Sequence, residues 1–173
     1  MKRKFFFVAR VMLLAFVSCD KNDDDNNHSL NSSDQNFLTT AAYSSHDEVE
    51  FAQLALAKST DDSVKMFAQM MITDHTKALM GLDSLAGQYN VNLPTTIDSA
   101  HAALKTTLMS LSGIDFDTTY AAGQVKDHMA AVALFQNQAN GGDNDKVRDF
   151  AARNLPVLQM HLQMADSLTS YLH

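Results

Sequence analysis

From Asp34 to the C-terminus, apolar positions recur at intervals of three and four residues, the period of helices seated on a core. The first such segment covers 34–58, with Asp34 as its N-cap and a stripe through Phe37, Ala41, Ser44, Glu48, Phe51 and Ala55. Ser59-Thr60-Asp61-Asp62 ends it and caps a second helix over 62–89. That stripe runs through Val64, Phe67, Ala68, Met71, His75, Ala78, Leu79, Leu82 and Leu85. Asn90 to Pro94 read as a loop, and a shorter helix over 95–111 places Ile97, His101, Leu104, Leu108 and Leu111 on one face. Ser112-Gly113 stop it. A third long helix covers 115–139, aligning Ala121, Val125, His128, Val132 and Phe135. Asn140-Gly141-Gly142-Asp143 make a turn. The last helix covers 143–172, aligning Val147, Phe150, Asn154, Val157, His161, Met164 and Leu168, and Pro156 predicts a kink in it.

Two helical hairpins joined by a longer connection with its own short helix define an all-α fold: a ferritin-like four-helix bundle with an extra helix in the long crossover. The absence of Trp and the presence of only two Pro and six Gly agree with this. The halves echo one another. Val64, Phe67 and Ala68 open the second helix as Val147, Phe150 and Ala151 open the last, and Asp74-His75 matches Asp127-His128.

Upstream of the helices the pattern changes twice. Lys2, Arg3 and Lys4 precede an apolar run over 5–17 interrupted by Arg10, too short to span a bilayer. Ser18 and the only cysteine, Cys19, follow it, and residues 20–33 are acidic and polar. This predicts a signal peptide over 1–18, lipidation at Cys19, a disordered acidic tether over 19–33 and a helical domain over 34–173. Phe16-Val17-Ser18-Cys19 resembles a bacterial lipobox. The expectation is a lipid anchor on Cys19 holding the domain at the cell envelope, on the outer membrane, facing the periplasm or the cell surface. The alternative is an ordinary cleaved signal with an incidental cysteine.

The charge balance narrows the partners. Four of the thirteen basic residues and none of the twenty acidic ones lie in 1–18, so the remainder carries nine basic against twenty acidic. No basic patch exists to neutralise phosphates, which argues against nucleic acid. Any membrane attachment would come from the lipid.

Each long helix sets one ionisable residue in mid-stripe: Glu48, His75, His128 and His161. By helical rise Glu48 lies about 18 Å before the first turn and His75 about 20 Å after it. His128 lies about 18 Å before the second turn and His161 about 27 Å after it, roughly one turn out of level. Three imidazoles and a carboxylate in a core suit a single ion of zinc, iron, copper or manganese. The competing reading is that the four only satisfy one another's hydrogen bonds, in a non-catalytic structural, interaction or stress-related module. A carboxylate-bridged di-iron centre is poorly supported. Position 72 is Ile and 158 is Leu, so neither Glu-x-x-His motif is present, and the chain has only two Glu, at 48 and 50. Asp74 and Asp127 each precede a histidine without sharing its face, so they point outward or buttress another helix. His101 reads as a core histidine, with a fifth ligand as the alternative. Met66, Met70, Met71, Met129, Met160 and Met164 read as core filling rather than copper ligands. No Ser-His-Asp order, phosphate-cradling glycine loop or cysteine redox motif is present, so no catalytic residue is assigned.

The chain resembles the bacterial domain-of-unknown-function 4142 family across about 34–172. The features that carry the resemblance are Glu48-Val49-Glu50, Asp74-His75, His101, Phe116-Asp117-x-x-Tyr120, Asp127-His128 and Leu155-Pro156-x-Leu158-x-x-His161. The resemblance implies export, a ferritin-like bundle and no particular activity.

Overall fold

The computed structural model describes residues 29–173. Asn31 caps the first helix, its side-chain oxygen accepting the Asp34 N–H at 2.7 Å, and α1 runs Ser32–Lys58. Asp34 was the expected cap. Its buried carboxylate instead accepts from Gln138 Nε2 at 2.5 Å and from the Asn144 N–H at 2.9 Å, clasping the first helix to the last turn. Leu30 is buried in the core, so the end of the expected tether belongs to the fold. The signal segment, Cys19 and the tether up to residue 28 lie outside the described residues.

Asp61 caps α2, Asp62–Gln88, by accepting from the N–H groups of Ser63 and Val64. Asp98 caps α3, Ser99–Ser110, through the His101 N–H. Gly113, with φ of 57°, takes a left-handed conformation that favours glycine and turns the chain from α3 into α4, Gly113–Gly141. Asn144 caps α5, Asp145–Leu172, which continues as helix through Pro156. No strand occurs among the described residues, and no helix there is long and apolar enough to cross a membrane.

The expected four-helix bundle with a crossover helix is the fold. α1 packs on α2, α4 on α5, α1 on α4 and α2 on α5, while α3 lies across α1 and α4. Lys105 reaches Glu50 at 2.6 Å, and Lys58 donates to the Met109 carbonyl at 2.8 Å, holding α3 to α1. The apolar core falls into two clusters. One contains Phe37, Leu38, Leu82, Phe135 and Phe150. The other contains Phe51, Phe67, Met71, Phe116 and Leu168.

The buried faces differ from the expected stripes in detail. On α5 Leu158 and Ala165 are buried, while Val157 and Met164 are exposed. On α4 Gln124 and Ala131 are buried, and Val125 and Val132 only partly so. Both alternatives lie three or four residues from a common inward position, so periodicity allows either. Small Ala131 and Ala165 occupy the inward side, where helices approach closely. Met66, Met129, Met160 and Met164, expected as core filling, are exposed; Met71 alone of the six is fully buried.

Candidate metal centre

Between the two apolar clusters lies a layer of buried polar side chains, Glu48 from α1, His75 from α2, Gln124 and His128 from α4, and His161 from α5. Every helix of the bundle thus breaks its apolar face at the same height. The three imidazoles form a triangle, with ring centroids 5.6 Å apart for His75–His128, 5.4 Å for His75–His161 and 5.3 Å for His128–His161. One nitrogen from each ring lies within 4.8 Å of one from each of the others.

His161, expected about a turn out of level, is a full member. α4 extends to Gly141 and α5 starts at Asp145, so the connection falls two residues later than the glycine signal indicated. That puts His128 about 20 Å and His161 about 24 Å from the turn, within one helical pitch. Glu48 lies to one side of the triangle. Its Oε1 is 3.6 Å from His128 Nδ1, and its Oε2 accepts from Gln124 Nε2 at 2.6 Å. Glu48 was expected with the three histidines around one ion; it lies against His128 as expected, but the three-nitrogen cluster does not include it, and Gln124, one turn before His128, engages its Oε2.

Burial sets the charge of the layer. His75 is pushed well below the usual imidazole range by burial, with His128 and His161 adding to the effect. Burial and the neighbouring His161 lower His128 to about 4, against the opposing Gln124 carbonyl. Burial also lowers His161, although Asp74 pulls the other way. Glu48 is pushed up to about 8, first by burial and then by Asp127 and Asp47, with Gln124 opposing. At neutral pH the three imidazoles are therefore neutral and Glu48 is protonated. The 3.6 Å approach of Glu48 to His128 is a contact between neutral groups, not a salt bridge.

Neutral imidazole has one N–H and one lone pair, and a fixed partner decides which nitrogen carries which. His128 Nδ1 donates to the Gln124 carbonyl at 2.9 Å, leaving its lone pair on Nε2. His161 Nε2 donates to Asp74 Oδ2 at 2.9 Å, leaving its lone pair on Nδ1. His128 Nε2, His161 Nδ1 and His75 Nε2 are buried and have no hydrogen-bond partner among the described residues. An unpaired buried polar atom costs about 1–3 kcal/mol, so three in one layer are a conspicuous expense. A cavity of about 20 Å³ lies beside His75 and His161, enough for one small ion or a water molecule.

Asp74 and Asp127 both buttress a neighbouring helix, as their position off the histidine face implied. Asp74 holds His161 on α5, while Asp127 faces His101 on α3 at 3.4 Å. His101 is neither a core histidine nor part of the triangle; it is half-buried among Asp47, Asp98 and Asp127. Gln124 was missed by the sequence reading. Its spacing of four residues before His128 was the available signal.

These features define an all-α bundle with a buried three-histidine layer across its middle. The chain belongs to the DUF4142 family, a domain of unknown function, whose model matches residues 20–168. No curated protein matches it. Among solved structures it resembles a DUF305 fragment from Deinococcus radiodurans, with TM-score 0.74 and 12% identity over 83% of this chain and 99% of that one. It also resembles CopM in its Cu(II)-bound form, with TM-score 0.69 and 15% identity over 81% and 97% of the two chains. The Ag-bound form of CopM gives 0.65 at 15% identity over 80% and 96%. At such identities these likenesses establish the shared fold.

Proposed function

We propose that the protein binds one transition-metal ion through His75, His128 and His161. The observation that carries this reading is the set of three buried, unpartnered ring nitrogens on neutral imidazoles within one layer. A cation would satisfy all three at once, at a cluster where no proton needs to leave a ligand first. Asp74 and the Gln124 carbonyl would act as the outer partners that fix ring orientation. All-imidazole donation suits copper and zinc, whereas manganese favours oxygen. The bound forms of CopM, a protein of the same fold at low identity, support copper as the first metal to test.

The same reading includes a lipid anchor. The basic start, the short apolar run and Ser18-Cys19 support export and attachment through Cys19, so that the bundle handles metal at the cell envelope.

Titration of the metal-free protein with Cu(I), Cu(II) and Zn(II), with elemental analysis of the product, should give one tightly held ion per chain. His128→Gln should lose it while keeping its helix content. A wild-type protein that retains no copper or zinc, or a His128→Gln variant that binds as tightly, would sink the reading. The triangle would then be a packing device. Cys19→Ala should leave the membrane fraction and lack lipid mass; a wild-type protein without lipid mass would remove the anchor.

A further inference from the structure

A cleft of about 350 Å³ opens between α1, α3 and α4, bordered by Glu48 but by none of the three histidines of the triangle. Asp47, Asp98, His101 and Asp127 line it. His101 stands at its centre, the ring tilted against Phe51 at 5.8 Å between centroids. Its Nδ1 lies 2.9 Å from Asp98 Oδ2 and 2.9 Å from Asp47 Oδ2. That nitrogen carries at most one proton, so one of the two carboxylates faces it without a hydrogen bond. Asp98 Oδ2 takes the bond, and Asp47 Oδ2, on a side chain only 3% exposed, is left without one. Asp47 Oδ1 is already occupied by the Asp98 N–H at 3.1 Å. Asp98 Oδ1 is occupied by the His101 N–H at 2.8 Å, its capping bond.

We propose that Asp47 Oδ2, Asp98 Oδ2 and His101 Nδ1 form a second cation site, for a divalent, oxygen-preferring ion of the manganese class. The three donors lie within 4.8 Å of one another and belong to α1, the start of α3 and its first turn. Asp127 Oδ1, 3.4 Å from His101 Nε2, takes the N–H on the far side of the ring. A cation would take the place of the Nδ1 proton that now bonds Asp98 Oδ2, while Asp127 holds the Nε2 N–H in the carboxylate–histidine–metal order. The cleft leaves room for water in the remaining coordination positions, as such ions prefer.

The charges agree with an unfilled need for a cation. Burial pushes Asp47 up to about 7 against the pull of His101, with Asp98 and Asp127 adding to the rise. Burial alone would lower His101, but Asp98, Asp47 and Asp127 together raise it. Three carboxyl groups thus share one imidazole's positive charge. This site is independent of the three-histidine reading. It uses different residues and favours a different class of metal.

Mn(II) is the probe, because its free electron-paramagnetic-resonance signal is lost on binding. The wild-type protein should bind one Mn(II) per chain. Asp98→Asn keeps an oxygen for the helix cap and replaces the Oδ2 ligand with an NH2 group, and His101→Gln acts at a partly exposed position, so both should fold; circular dichroism verifies it. Each should weaken Mn(II) binding by at least about tenfold, the lower bound seen even for changes in outer partners. His75→Gln, which breaks the triangle, should leave Mn(II) binding unchanged while losing copper or zinc. The proposal is overturned if the wild-type protein binds no Mn(II), if Asp98→Asn and His101→Gln bind it unchanged, or if His75→Gln loses it.

Discussion

At the scale of single residues, the function rests on which nitrogen each imidazole offers. Asp74 accepts from His161 Nε2 and thereby exposes Nδ1 to the core. Asp74→Asn should weaken metal binding by about 10–100-fold, since the amide is a poorer acceptor and no longer balances charge. Competition titration against a chelator would measure it; an unchanged affinity would mean that Asp74 only stabilises the fold. Glu48 has a different task. It is the one carboxyl in the layer, and burial holds it protonated to about pH 8. A cation bound beside it favours the ionised form, so metal uptake at pH 7 should release close to one proton. Calorimetry in buffers of different ionisation enthalpy would count it. Glu48→Gln should bind metal with no such release, because the imidazoles are already neutral.

At the scale of elements, a short polar side chain caps the start of α1, α2, α3 and α5, while α4 starts at the left-handed Gly113 with no side-chain cap. The cap of α2 is remote from the metal layer. Asp61→Ala removes an acceptor for the Ser63 and Val64 N–H groups and should lower stability by about 1 kcal/mol. Denaturant unfolding should show the loss, and metal affinity should not change. A large fall in affinity would show instead that the height of His75 depends on the end of its helix. The helices were readable because periodicity, capping residues and glycine turns coincide. The N-cap of α1 was misplaced because Asn31 and Asp34 are both good caps in sequence. Tertiary contact with Gln138 and Asn144 decides that Asp34 serves the clasp.

At the scale of the whole molecule, two sets of buried groups set the pH dependence of the metal-free protein. His75, His128 and His161 have lowered values in the fold, so their contribution grows as pH rises towards 6.5, in the case of His128 from about 4. Glu48 and Asp47 have raised values, so theirs is full below about pH 4 and lost as pH rises through about 7 and about 8. Below pH 6.5 the two sets oppose each other. Above it the three imidazoles of the layer are neutral in both states, while Glu48, Asp47 and the raised His101 of the cleft still titrate differently, all losing stability as pH rises. Stability should therefore fall between pH 6.5 and 8 by about 2 kcal/mol, and Glu48→Gln should visibly reduce that slope. Chemical denaturation at intervals of pH would measure both. A flat wild-type profile would mean that Glu48 is ionised in the fold.

The sequence by itself determined the five helices, their order and the bundle they form, because each depends on local periodicity and capping. It also placed Glu48, His75, His128 and His161 in the core, since each lies in mid-stripe of a long helix packed into the bundle, whereas His101, in mid-stripe of the short α3, came to lie in a cleft. Only the tertiary structure decided which of them meet. A shift of two residues in the last turn brought His161 into the triangle, and Gln124 engages Glu48 outside it. Likewise Asp47, Asp98, His101 and Asp127 are spread over eighty positions, and only Asp98 and His101 are local neighbours. Their cleft exists because α3 crosses α1 and α4, a packing choice that no local pattern encodes.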